Sequence, residues 1–255
     1  MIEAVGLTRR FGDVEAVSNL SFSVGRGEIL GFLGPNGAGK STTVKMLTGM
    51  LQPSAGTASV AGFDVAQAPL EVKRRIGYVP ESGAVYDNLT AAEYLDLVAS
   101  LHHLAPVRSR SRAEELLQLF GLVGDQHRRI AEFSKGMRQK VLLSAALLHN
   151  PEVLFLDEPL TGLDANAALI VKELLRSLAA QGKTIFFCSH ILEVVERICG
   201  RIIVIDKGAI VIEGTAQAIC ERTGTATLEQ AFSQLTGVRD VATVTRDFLA
   251  ALERA

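Results

Sequence analysis

The chain has 255 residues, of which 48% are apolar and 21% charged, and its formal net charge is −2. That is enough apolar material to bury a sizeable core and too much for a disordered chain. The near-neutral balance excludes the strong basic field of an electrostatic nucleic-acid binder, and no acidic tail is present.

Cys188, Cys199 and Cys220 stand without CxxC or CxxH spacing and read as reduced thiols. His102 and His103 are adjacent, and neighbouring residues on a helix do not face one ligand, so they do not read as a metal pair. The start, Met1-Ile2-Glu3-Ala4, lacks the pattern of a signal peptide. A membrane-spanning helix needs about 20 consecutive apolar residues. The most apolar stretch, 141–156, is interrupted by His149, Asn150, Pro151 and Glu152. A transport path, if there is one, must be formed by another chain.

In chain order, short β-rich runs come first, at 2–5, 20–24, 29–33, 58–61 and 76–79, punctuated by Gly and Pro. The run 29–33 is almost wholly apolar, as a strand buried on both faces should be. It enters a glycine-rich turn and then a helix-like segment, 40–50. From Thr90 to about Leu148 the pattern is helical. Residues 106–112 carry Arg108, Arg110 and Arg112 with two serines and read as a solvated loop and helix start. Gly121 reads as a helix stop. Strands return at 153–156, 184–188, 202–205 and 210–212, with helices between the first three, which implies a mainly parallel sheet. The residues from Thr215 onward read as short helices with polar linkers.

The stretch Gly34-Pro35-Asn36-Gly37-Ala38-Gly39-Lys40-Ser41 has the form G-x-x-x-x-G-K-[ST]. The glycines let backbone N–H groups turn around a phosphate, and the following helix directs its positive end at the same anion. Lys40 can reach the outer phosphates and the Ser41 hydroxyl can ligate Mg²⁺. A second apolar run, 153–156, ends in Asp157 and Glu158. Asp157 is placed to approach Mg²⁺ and Glu158 to hold an attacking water. Taken alone, Asp157-Glu158-Pro159 is equally a strand ending in a polar turn.

With these motifs in order, residues 2–215 resemble the ATP-binding subunits of ABC transporters. The resemblance implies an α/β fold: a RecA-like P-loop NTPase core with an antiparallel β-subdomain and an inserted α-helical subdomain. The implied division is 1–85 and 151–214 for the core with its β-subdomain, 86–150 for the helical subdomain, and 215–255 for a C-terminal helical extension. Phe11 is similar to the aromatic that stacks on adenine, although it is also an ordinary hairpin aromatic. The ATP site extends over 34–42 and so takes in Thr42. Phe133-Ser134-Lys135-Gly136-Met137 resembles the family signature, in which Ser134 and Gly136 would bind the γ-phosphate of ATP held by an opposite subunit. On the residues alone, Ser134 is a helix N-cap. Thr161-Gly162-Leu163-Asp164 resembles the D-loop, which contacts the partner, and His190 the switch histidine.

Two departures stand out. Glu81 occupies the position of the family's glutamine; it can still ligate Mg²⁺ but cannot donate as an amide. Lys135 and Met137 replace a glycine and a glutamine of the signature. Both departures, and the segment around Thr227–Gly237, resemble a bacterial branch that pairs with separate membrane permeases, often exporters. The implied partners are a second nucleotide-binding subunit (a copy or a sister chain) and an integral permease on the cytoplasmic face of the membrane. The permease would dock near Glu81–Tyr94, where Val85, Tyr86 and Leu89 also read as plain core packing. No nucleic-acid partner is expected. Two other functions fit less well: an ATPase acting on ribosomes or DNA, and a regulatory module that binds ATP without cleaving it.

Overall fold

The computed structural model describes residues 1–81, 85–237 and 252. The chain opens with β1 (Ile2–Phe11) and β2 (Val14–Val24), a hairpin turning at Gly12 with φ +56°. Next come β3 (Ile29–Leu33), α1 (Lys40–Leu47), β4 (Ala55–Val60), β5 (Phe63–Asp64), α2 (Pro69–Arg75) and β6 (Ile76–Val79). Three longer helices follow: α3 (Ala91–Leu101), α4 (Pro106–Leu119) and α5 (Lys135–Leu148). The chain then returns to β7 (Val153–Asp157), α6 (Ala165–Ala180), β8 (Thr184–Cys188), α7 (Leu192–Ile198), β9 (Arg201–Asp206) and β10 (Ala209–Gly214). Helices α8 (Ala216–Thr223) and α9 (Leu228–Thr236) complete the described elements.

Two sheets form. The first is antiparallel, in the order β2-β1-β4-β5. The second runs β10-β9-β3-β8-β7-β6, with parallel pairing from β9 to β6 and only β10 antiparallel. Side-chain alternation in the second sheet feeds two cores. Leu30, Phe32, Phe155, Phe186, Ile203 and Ile205 face the antiparallel sheet and α1, whereas Ile29, Leu33, Leu154, Leu156, Phe187 and Val204 face the helices. Burial on both faces explains why these strands read as near-continuous apolar runs. On the first face, Phe22, Phe32, Phe155 and Phe186 form a tilted aromatic cluster with the Phe32 and Phe186 centroids 4.9 Å apart.

The strands expected at 29–33, 76–79 and 184–188 have those bounds. Those expected at 2–5 and 20–24 are longer, because the antiparallel sheet buries one face only and polar residues such as Thr8, Arg10 and Glu15 continue the pleat. Residues 106–112, expected as a solvated loop and helix start, begin a helix with their arginines facing solvent, but the loop part is corrected: they are helical from Pro106 onward, since proline is pre-set for the first helical position. Gly121 adopts φ +69° just past that helix, as a helix stop requires. The C-terminal extension is helical through Thr236; its residues 238–251 and 253–255 lie outside the described residues.

The His102 ring stacks on His149 at 3.7 Å, which gives the former a packing role. Among the described residues no helix is long and apolar enough to cross a membrane, and Cys188, Cys199 and Cys220 are unpaired.

Candidate nucleotide-binding and hydrolysis site

The C-terminal ends of β3, β7 and β8 converge on a cleft of about 720 Å³ lined by Asn36, Gly37, Gly39, Lys40, Ser41, Thr42, Glu81, Asp157, Glu158, His190 and Ala16. Ligands in open α/β sheets bind at this end of the strands. The loop between β3 and α1 wraps tightly. Gly39 sits at φ +104°, and a Cβ there would lie 2.6 Å from the Ala16 carbonyl oxygen. A Cβ on Gly34 would lie 2.5 Å from the Ile205 carbonyl oxygen. Glycine is therefore required at both positions by close backbone approach. Inside the loop, Lys40 Nζ donates to the Gly34 and Pro35 carbonyls at 2.6 and 3.1 Å. The α1 N-terminus has no side-chain cap and no acidic residue in its first turn, so its free N–H groups and dipole are available to an anion.

Opposite this loop, the Ser41 hydroxyl donates to Asp157 Oδ2 at 3.2 Å, joining the first turn of α1 to the end of β7. Burial pushes the Asp157 carboxyl up to about 6; the Ser41 hydrogen bond and Lys40 oppose this, and the charges of Glu81 and Glu158 add to it. Burial also drives the neighbouring Tyr78 phenol up to about 12, helped by Asp157 and Glu81. Negative charge is thus concentrated in a partly desolvated place, which is what a hard cation relieves.

Glu158 follows with a strained backbone. Its φ is +52° although Pro159 comes next, and a residue before proline strongly prefers extended geometry. Such a conformation costs about 1–3 kcal/mol and persists only where surroundings enforce it. The enforcement is visible: Glu158 N–H donates to the Cys188 carbonyl at 2.9 Å, and Thr161 N–H donates to the Glu158 carbonyl at 3.2 Å. Glu158 is 8% exposed, and its carboxylate accepts from His190 N–H at 2.7 Å and the Ser189 hydroxyl at 3.3 Å, with His190 Nδ1 2.8 Å from Oε2. These donors aim one carboxylate into the cleft, a fixed acceptor for a water proton.

A model of the ABC transporter family matches residues 17–161. The chain belongs to the ABC transporter family. It is 40% identical to the ABC transporter ATP-binding protein NatA of Bacillus subtilis over 87% of this chain and 92% of that protein. It is 41% identical to the daunorubicin resistance ATP-binding protein DrrA3 of Streptomyces coeruleorubidus over 86% of this chain and 69% of that one. Among solved structures, it matches the ATP-binding subunit of an ABC transporter with TM-score 0.87 and 33% identity, covering 92% of this chain and 99% of that one. It also matches a dimeric bacterial ABC transporter cassette with TM-score 0.78 and 25% identity, covering 84% and 98%. As an ABC transporter ATP-binding subunit, the chain binds ATP and hydrolyses it.

The cassette gathers most of the residues singled out in the sequence, but not all. Phe11 is outside the cleft lining; it ends β1, 48% exposed, with the Arg9 guanidinium 4.6 Å above its ring. Gly34, Pro35 and Ala38 of the loop, and Ser134, Gly136 and Asp164 elsewhere, are also outside that lining. Ser134 caps α5 by accepting from Met137 N–H at 3.2 Å, and Asp164 caps α6 by accepting from Ala167 N–H at 2.8 Å. Sequence reasoning missed Ala16, which lines the cleft from β2, and Ser189, which touches Glu158. Alanine in a strand carries no signal, whereas a hydroxyl beside His190 at a strand end does.

Proposed function

We propose that this ATPase works as one half of an ATP-clamped dimer that drives an integral membrane permease in the export direction, from the cytoplasmic face of the membrane. One observation carries the reading. Two surfaces suited to the same triphosphate lie on one chain but do not meet: residues 36, 37 and 39–42 line the cleft, while the exposed, Ser134-capped start of α5 lies outside it. A second copy or a sister chain, turned by a twofold, would bring Ser134 and Gly136 of its helix against the γ-phosphate of the first. Asp164 would meet the partner beside them, and Phe11, exposed at the end of the hairpin, would stack on adenine. ATP then holds the dimer closed, because its charge is satisfied better between the two surfaces than on either.

The residues present fit Mg²⁺. Among the described residues no three His, Cys, Asp or Glu side chains converge as a protein-only metal cage. A Mg²⁺ bound through one or two carboxylates, a hydroxyl and phosphate oxygens needs no such cage. Ser41, Asp157 and Glu81 would hold it, and it would neutralise charge on the phosphates during cleavage. Glu158 would accept the proton of the attacking water, and His190, holding the Glu158 carboxylate through Nδ1, would turn its Nε2 toward the γ-phosphate.

For the permease, the reading uses the surface around Glu81–Tyr94. Val85 and Tyr94 pack on the helix-side core, while Tyr86 is 65% exposed with its ring 6.3 Å from that of Tyr94. Residues 82–84 of this surface lie outside the described residues. Export is supported by relatives named for daunorubicin resistance and for Nod factor export. The test is hydrodynamic. The chain with Mg²⁺ and a non-hydrolysable ATP analogue should sediment as a dimer and revert to monomer in EDTA. A monomer under both conditions, with nucleotide bound, contradicts the reading.

A further inference from the structure

We infer that Gln139 is a positioning residue for Glu158, through which the start of α5 grips the turn that presents the water-activating carboxylate. The side chain is 6% exposed, and its Nε2 donates to the Pro159 carbonyl at 3.0 Å, a buried hydrogen bond across 20 residues. The Glu158–Pro159 peptide has no N–H, because proline lacks one. At Pro159 only the carbonyl is left to be held. The Glu158 carbonyl is held by Thr161 and the Pro159 carbonyl by Gln139, while Glu158 N–H is fixed to Cys188 on β8. Without Gln139 the far side of the left-handed Glu158 has no side-chain anchor at Pro159.

The contact is part of a seam. Gly136, one turn before both Gln139 and Lys140, and Lys140 itself also approach the 159–164 segment that Gln139 touches. A Cβ on Gly136 would lie 2.4 Å from the Gly162 carbonyl oxygen, and Lys140 Nζ sits 3.5 Å from Asp164 Oδ2. Resting on the dimer reading above, this seam makes one helix serve two sites. Its first turn, Ser134 and Gly136, faces the partner's nucleotide, while Gln139 orients the Glu158 that acts on the chain's own nucleotide. Arrival of the partner's phosphate at α5 is thereby felt at the chain's own carboxylate.

The test begins with Gln139→Met, similar in length and volume but without a donor, and with Gln139→Glu, which sets an acceptor against the carbonyl. Each should lower kcat roughly tenfold, as for one lost buried hydrogen bond to a reacting-group support, and leave KM for ATP within twofold. Unchanged kcat in both variants, with cooperative melting retained, overturns the assignment. The decisive arm uses dimers mixed with a Glu158→Gln chain, so that one site alone turns over. Gln139→Met on the chain that keeps Glu158 should give the full loss, and on the Glu158→Gln chain, whose α5 serves the active site from across the interface, a loss within twofold. Equal losses in both arrangements, or a loss only in the second, assign Gln139 to general support of α5 and refute the positioning role. These losses are read on the first round of cleavage, because uncleaved ATP at the Glu158→Gln site holds the mixed dimer closed; a mixed dimer with unaltered Gln139, confirmed by sedimentation, and no first-round cleavage would instead contradict the dimer reading, leaving the uniform variants to decide on Gln139.

Discussion

Replacing Glu158 with glutamine separates the shape of the site from its charge. Oε1 accepts from the fixed His190 N–H at 2.7 Å, a bond that the glutamine carbonyl oxygen reproduces. The amide nitrogen then replaces Oε2, facing His190 Nδ1 at 2.8 Å and the Ser189 hydroxyl at 3.3 Å. Histidine accommodates it by moving its proton to Nε2, and the serine hydroxyl by rotating. What is lost locally is the charge assistance of these bonds, about 1–2 kcal/mol. The turn keeps its form and the melting temperature changes by only a few degrees, at about 2–4 °C per kcal/mol. The kinetic effect is larger. An amide cannot take the water proton, and removal of a positioned general base costs about 10²–10⁴ in rate, or roughly 3–5 kcal/mol of barrier. Single-turnover phosphate release under saturating Mg²⁺ and ATP is the assay, with nucleotide affinity measured alongside. The reasoning predicts a drop of at least about a hundredfold in the chemical step, with ATP affinity within threefold of wild type because the 34–42 loop is untouched. A release rate within threefold of wild type, in a folded variant, would remove Glu158 from the base role.

Two further predictions follow from packing and titration. Gly136→Ala places a Cβ 2.4 Å from the Gly162 carbonyl oxygen, so the start of α5 must lift from the 161–164 segment. We expect about 1–3 kcal/mol of destabilisation by thermal melting and a matching loss of ATPase activity; wild-type stability would mean that the seam is looser than described. His149 donates through Nε2 to the Ile76 carbonyl at 2.8 Å, while its Nδ1 is buried without a partner. Burial pushes its pKa down to about 4 from an ordinary 6.5, with His102 stacked on it adding to the shift and the Ile76 carbonyl opposing it. The folded pKa lies below the unfolded one, so the unfolded chain binds more protons between pH 6.5 and 4 and stability falls as pH falls through that window. The full shift corresponds to about 3 kcal/mol, and partial solvent access reduces it to about 1–2. Urea unfolding of wild type and His149→Gln from pH 7 to 4.5 should show the extra slope in wild type only; parallel curves refute it.

The parts of this cassette that were legible in the sequence are those written in contiguous residues. The 34–41 turn, the apolar run into Asp157 and Glu158, and strands buried on both faces each carry their own pattern. The edges of the antiparallel sheet did not, because strands covered on one face alternate with polar residues that look like turn and loop. At residues 106–112 the solvation and the helix start were legible, but not where the loop ends, because charge content speaks of solvent, not of backbone form, and a solvated helix face has the same composition as a loop. Contacts between distant segments were invisible. Nothing in the sequence pairs Gln139 with Pro159 or His102 with His149, and nothing tells that Glu158 adopts a left-handed φ before a proline. The signature residues sit between these cases. Ser134 was readable as a helix cap, which it is, but a cap does not reveal which molecule's phosphate its helix meets.

That last point is tested most directly by complementation. A Ser134→Arg chain keeps its phosphate loop and loses its signature surface, and a Lys40→Ala chain does the reverse. Each alone should be inactive. Mixed one to one, with dimers confirmed by sedimentation, they should recover about a quarter of wild-type ATPase activity, since half the dimers pair unlike chains and each of those holds one intact site of two. A mixture no more active than its parents would contradict a nucleotide shared between two copies.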